Sequence, residues 1–185
     1  MTNTGGVRDF WLLHIKVGEH QRDMALAAWN SNAVGLWHGP FTAEDLIQSA
    51  SPQELDRVPH QASFLEARGL TTKTNRTKWA FEFARLPDNA WIVLRLDGKT
   101  FGIAQLGSAI QSTPIHPLNH LKPDDPKREV YKFRRIVPST KREIRLSLEE
   151  RAPLMRTLKS YDTLRRFSTP EEIALLNRLL DKGMR

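Results

Sequence analysis

Two apolar runs, Trp91 to Leu96 (WIVLRL) and Lys99 to Leu106 (KTFGIAQL), stand on either side of Asp97-Gly98. Asp-Gly is the dipeptide preferred in two-residue turns whose twist matches that of a strand pair, so the three pieces together specify an antiparallel β-hairpin. A lone hairpin is marginal in water and needs further strands beside it and helices over it. The rest of the chain supplies candidates for both. Phe10 to Val17 (FWLLHIKV) reads as a buried strand, Ala33 to Trp37 as a short strand stopped by His38-Gly39-Pro40, and Glu129 to Val137 as an alternating strand, with REIRLSL (Arg142 to Leu148) as a candidate for another.

Helix signals lie between these strands. Glu19 to Ser31 is rich in helix formers, with Glu19 and Asp23 near its start, where the dipole favours acids. Thr42 with Asp45, and Ser51-Pro52 with Glu54, are capping-box patterns. Residues 73–86, 149–158 and 170–182 also read as helices, the last capped through Ser168 or Thr169. Residues 107–127 hold Pro114, Pro117, Pro123 and Pro126 without periodicity and read as a long loop. Strands and helices in mixed order, with no repeat or linker, give an α+β chain. At 185 residues it is expected to form one domain over 1–185.

The absence of cysteine excludes disulfides, thiolate chemistry and cysteine-rich zinc sites. No run approaches the roughly 18 apolar residues of a membrane span. The opening MTNTGGVRD lacks a basic region followed by an apolar core, so a cytoplasmic protein without membrane contact is expected. Lys and Arg number 28 against 21 Asp and Glu, a net charge of +7, which draws polyanions. Lys127, Arg128, Lys132, Arg134, Arg135, Lys141, Arg142 and Arg145 crowd into one stretch, and Arg151, Arg156, Lys159, Arg165 and Arg166 follow, as expected of a phosphate-facing surface.

Signs of catalysis are few. Pro87-Asp88 followed by Asp97-Gly98-Lys99 fits the loose PD…(D/E)xK pattern of Mg-dependent nucleases, and a small nuclease using Asp88 and Asp97 is one alternative. That chemistry needs both acids side by side, whereas a hairpin turn puts Asp97 at the tip, a strand length of roughly 20 Å from Asp88. His116 and His120 are four apart, but Pro117 between them opposes a shared helix face. No phosphate-binding glycine loop or nucleophile elbow is present. The chain is read as a non-enzyme, without metal or cofactor.

Of the five tryptophans, Trp29, Trp79 and Trp91 read as core. Trp11 and Trp37 sit at strand ends beside polar or turn residues, where an aromatic face can open onto a pocket. Aromatic walls within a basic surround suit a nucleobase, and equally a methylated one.

Phe10 to Leu46, with Gly35-Leu36-Trp37 and Asp45-Leu46, resembles the opening of EVE-type domains of the PUA-like superfamily. Phe101 to Ser108 (FGIAQLGS), Glu129 to Val137 and the closing SYDTLRRFSTPEEIALLNRLL are similar to that family's later hairpin, Arg-bearing strand and terminal helix. The resemblance implies a twisted β-barrel with flanking helices, akin to readers of modified DNA in restriction or defence systems and, more distantly, to YTH readers of methylated RNA. Such a reader would flip 5-methylcytosine or N6-methyladenine out of double-stranded DNA into an aromatic cage. It would rely on a nuclease or motor partner, or a fused segment, for any cutting. Trp11 and Trp37, with Trp79 as a third, would form the cage. His14, His38 and Ser108 would meet the base edge, and Lys132, Arg134, Arg135, Lys141 and Arg142 would hold phosphates. An RNA-binding PUA-like module is the other alternative, separable through its use of 2′-OH contacts.

Overall fold

The computed structural model of the protein describes residues 8–17, 22–36, 39–67, 75–113, 130–159 and 163–182. The strands are β1 (Phe10–Leu13), β2 (Lys16–Val17), β3 (Arg22–Asp23), β4 (Ala33–Leu36), β5 (Trp91–Arg95), β6 (Thr100–Gln105), β7 (Gln111–Thr113), β8 (Tyr131–Arg135), β9 (Arg142–Arg145) and β10 (Leu164–Arg166). The α-helices are α1 (Ala25–Asn30), α2 (Ala43–Gln48), α3 (Pro52–Leu55), α4 (Pro59–Ala67), α5 (Asn75–Ala84), α6 (Leu148–Arg151), α7 (Met155–Leu158) and α8 (Pro170–Lys182). The mixture is α+β, and no helix among the described residues is long and apolar enough to cross a membrane.

The hairpin at Asp97-Gly98 seeds the larger sheet. The Asp97 carboxylate accepts the N–H groups of Lys99 and Thr100, both at 2.6 Å, which closes the turn between β5 and β6. Around that pair the order is β10-β1-β5-β6-β9, with β1 parallel to β5 and every other pairing antiparallel. A smaller sheet runs β4-β8-β7, all antiparallel. The two sheets meet at one corner, where Leu106 bridges Ile136 and the N–H groups of Gly107 and Val137 donate to Arg135 and Gln105 carbonyls, each at 2.9 Å. The described strands do not close into a barrel.

Alternation along the larger sheet feeds two cores. Phe10, Leu12, Val93, Phe101 and Ile103 face the C-terminal helices, where Leu175, Leu176, Leu179 and Leu180 form the buried stripe of α8. Leu13, Ile92, Leu94 and Ala104 face the other way, onto Trp29 of α1, Leu46 of α2 and Phe83 of α5. Covering on both faces is why β5 and β6 read as continuous apolar runs. Gly102 makes room for the packing on the second face: a Cβ there would lie 2.8 Å from the Trp29 ring.

Local capping is as the sequence predicts at α2, where Thr42 and Asp45 form a complete capping box. At α3 the Ser51 side chain accepts from the Glu54 N–H, but the Glu54 carboxylate reaches back to Ala50 instead. Elsewhere tertiary pairing overrides the pattern. The helix expected over Glu19 to Ser31 starts only at Ala25, because Arg22–Asp23 pairs with Lys16–Val17 and Met24 donates to Ile15. Asp23 is therefore a strand residue, and Glu19 lies outside the described residues. The same pairing breaks the expected strand Phe10 to Val17 after Leu13. Within 107–127, Gln111–Thr113 is a strand, and the four prolines lie outside the described residues. The helix read over 149–158 is two short α-helices joined by a 3-10 turn at Ala152–Leu154, where Pro153 cannot donate.

Candidate nucleic-acid interface

Strand β8 decides the fate of most of the basic candidates. Its residues alternate, so Lys132 and Arg134 point to one face and Tyr131, Phe133 and Arg135 to the other. The first face is the interior. Lys132 is 0% exposed; its ammonium donates to the Gly39 carbonyl at 2.9 Å and lies 4.4 Å from the centre of the Phe41 ring. Arg134 is 1% exposed and its guanidinium donates to the carbonyls of Leu86 and Ser108 and to the Asp88 carboxylate. Burial pulls its pKa down and Asp88 opposes that pull. The assignment of Lys132 and Arg134 to phosphate is thus corrected. The peptide carbonyls of the surrounding turns already occupy their donors, and neither side chain reaches the surface.

Arg135, Lys141 and Arg142 are placed differently. The Arg135 side chain is exposed, with one N–H on the Ser31 carbonyl at 3.4 Å. Lys141 donates to the Trp29 carbonyl at 2.8 Å and to Asn32 Oδ1 at 2.9 Å. Both therefore flank the turn between α1 and β4, where Asn32 takes a positive φ of 53°. Arg142 donates to the carbonyls of Ser139 and Lys141, while its Nε is buried without an acceptor. These three cations gather where the two sheets meet, and Ser108 joins them: its hydroxyl accepts the Arg135 backbone N–H at 2.8 Å.

Trp11 lies on β1, in register with Ile92 and Arg166. Its indole is half-buried at the margin of the second core, where Trp79 of α5 also packs. The indole N–H donates to Asp9 at 2.9 Å, and the other Asp9 oxygen accepts from Arg166 at 2.6 Å. Arg166 thus fixes the carboxylate that fixes the ring. Sequence reasoning missed this clamp because Asp9 and Arg166 become neighbours only through the β1–β10 pairing. His14 follows β1, half-buried, with its backbone N–H on the Thr163 carbonyl at 2.8 Å. Trp37 and His38 lie outside the described residues.

The base-pocket candidates therefore divide. Trp11 and His14 lie on or beside β1, Trp79 lies on α5, which packs against α2 and α3, and Ser108 lies beside Arg135 at the sheet corner. From β1 to β9 is three strand spacings, about 14 Å. Trp29 is fully core, its indole N–H on Glu143 at 2.6 Å. Trp91 packs on the opposite face of the sheet, against Phe10 and beneath Arg8.

No family model, curated protein or solved structure matches the chain. The two acids of the nuclease pattern are each engaged elsewhere, Asp88 with Arg134 and Asp97 with the backbone of its own turn. Those turn N–H groups hold the Asp97 pKa below its ordinary value. Among the described residues no group of three or more acidic, histidine or cysteine side chains is placed to hold a metal ion.

Proposed function

We propose that this chain is a non-catalytic DNA-binding reader, of the PUA-like kind, that takes a modified base out of the duplex into a recess walled by Trp11. The observation that carries the reading is the fixed, half-buried indole of Trp11, held edge-on by Asp9 and through it by Arg166. An aromatic face held in place before the ligand arrives loses little entropy on stacking, and each stacked base is worth about 1–3 kcal/mol. Stacking of that size offsets the unstacking of one base pair, a few kcal/mol, when methylation adds apolar surface. Arg135, Lys141 and Arg142 supply positive charge near the corner where the two sheets meet. Cutting or motor activity, in this reading, belongs to a partner or another segment.

The test is binding to short duplexes, unmodified or carrying 5-methylcytosine, 5-hydroxymethylcytosine or N6-methyladenine, at two salt concentrations. A preference of about tenfold, or 1.4 kcal/mol, for one modified duplex at both salts is expected, and Trp11→Ala removes it in a folded protein. Equal, steeply salt-dependent binding to all of them would leave only a basic surface. Tighter competition by RNA would move the reading to an RNA module.

A further inference from the structure

On the second face of β8, three planar groups follow one another at alternate positions. The rings of Tyr131 and Phe133 stack, with centroids 5.4 Å apart and planes 21° from parallel. The Arg135 guanidinium carbon lies 5.3 Å from the centre of the Phe133 ring. The Tyr131 side chain is tied down, since its hydroxyl donates at 2.8 Å to the carbonyl of Ala33, the residue opposite Arg135. Arg135 is exposed, and among the described residues no carboxylate pairs with it. The flanks are low. Gly35 stands opposite Phe133 on β4 and Ala33 opposite Arg135, while exposed Gln111 stands opposite Phe133 on β7.

We infer that this face of the small sheet is a stacking site for one unpaired nucleobase, which lies on the outer plane of the Arg135 guanidinium. A guanidinium backed by an aromatic ring is pre-oriented, and bases stack on such planes as they do on aromatic side chains. The same group keeps edge N–H donors for a neighbouring phosphate, so plane and charge serve one nucleotide. Gln111 is placed beside Phe133, where an amide can meet a base edge. The site differs from the recess at Trp11 and requires no modified base. It rests on the reading of the chain as a nucleic-acid binder.

The experiment compares two fluorescein-labelled single strands of about twelve nucleotides, one of thymidine and one abasic throughout, which carry equal phosphate charge. Wild-type protein is expected to bind the thymidine strand about fivefold or more tightly. Arg135→Lys keeps the charge and removes the plane, so it is expected to abolish the difference between the two strands. Phe133→Leu, with its fold checked by thermal melting, has the same effect by removing the backing ring. Equal binding of the two strands by wild type, no binding of either, or a preference that survives Arg135→Lys would overturn the inference. Its failure is distinguishable from failure of the reader, because the modified-duplex assay depends on Trp11 and this one does not.

Discussion

Arg134 donates to two carbonyls and one carboxylate from the interior, so deleting it leaves acceptors without their donor. Arg134→Ala is expected to lower stability by about 1–3 kcal/mol, the cost of leaving buried acceptors without a donor, measured by urea denaturation. Asp88→Asn is expected to cost under about 1 kcal/mol, since that carboxylate is 77% exposed and an amide oxygen still accepts. No loss of stability with Arg134→Ala, or a large one with Asp88→Asn, would reject this role for the Arg134 hydrogen bonds. Gly102→Ala brings a methyl 2.8 Å from a fully buried ring and is expected to cost about 1–3 kcal/mol in the same assay. The sequence of β8, YKFRR, shows alternation but not which face is inside. Large side chains occupy both faces, and the usual preference for solvated charge points the wrong way. What reverses it is a set of turn carbonyls at Gly39, Leu86 and Ser108 that only the folded chain brings to the strand.

Helix α8 owes its start to one carboxylate. Glu172 accepts the Thr157 hydroxyl at 2.6 Å and the backbone N–H groups of Thr169 and Ser168, while its own N–H donates to the Thr169 hydroxyl. Burial pushes the Glu172 pKa up, but the hydrogen bonds together outweigh it and hold the pKa below its ordinary 4.5. A group with a depressed folded pKa contributes stability above its unfolded pKa and loses it as pH falls through the folded value. The urea midpoint should therefore fall between roughly pH 5 and pH 3 more steeply in wild type than in Glu172→Gln. Parallel curves for the two would remove the carboxylate from the account. Thr169→Ala is expected to cost about 1 kcal/mol through the lost cap. Elements whose determinants are local were legible: the Asp97 hairpin, the Thr42 box and the α8 cap each depend on a few adjacent residues. The start of α1 was not, because a two-residue pairing with Lys16–Val17 competes for the same stretch. The Trp11 clamp was not either, its parts being 157 residues apart.

At the scale of the molecule, the +7 net charge becomes useful only where cations reach solvent. Arg135→Ala should reduce the salt slope of duplex binding by about 0.9, the share of one phosphate contact on B-DNA. Arg134→Ala, if it folds, should leave the slope unchanged, since its charge never meets the strand. Plots of log Kobs against log salt for both variants decide this. The α+β class was legible from the mixture of patterns, whereas the corner at Leu106 and Ile136 was not. A single bridge between distant strands carries no local composition. The order β10-β1-β5 has a further consequence for synthesis. Strand β1 is an inner strand of the finished sheet, with one neighbour near residue 91 and the other near residue 166. A nascent chain holds β1 with an open edge until β10 has left the ribosome, so this sheet stays incomplete until residue 166 has emerged. A chain released before residue 164 would present β1 to other copies of itself.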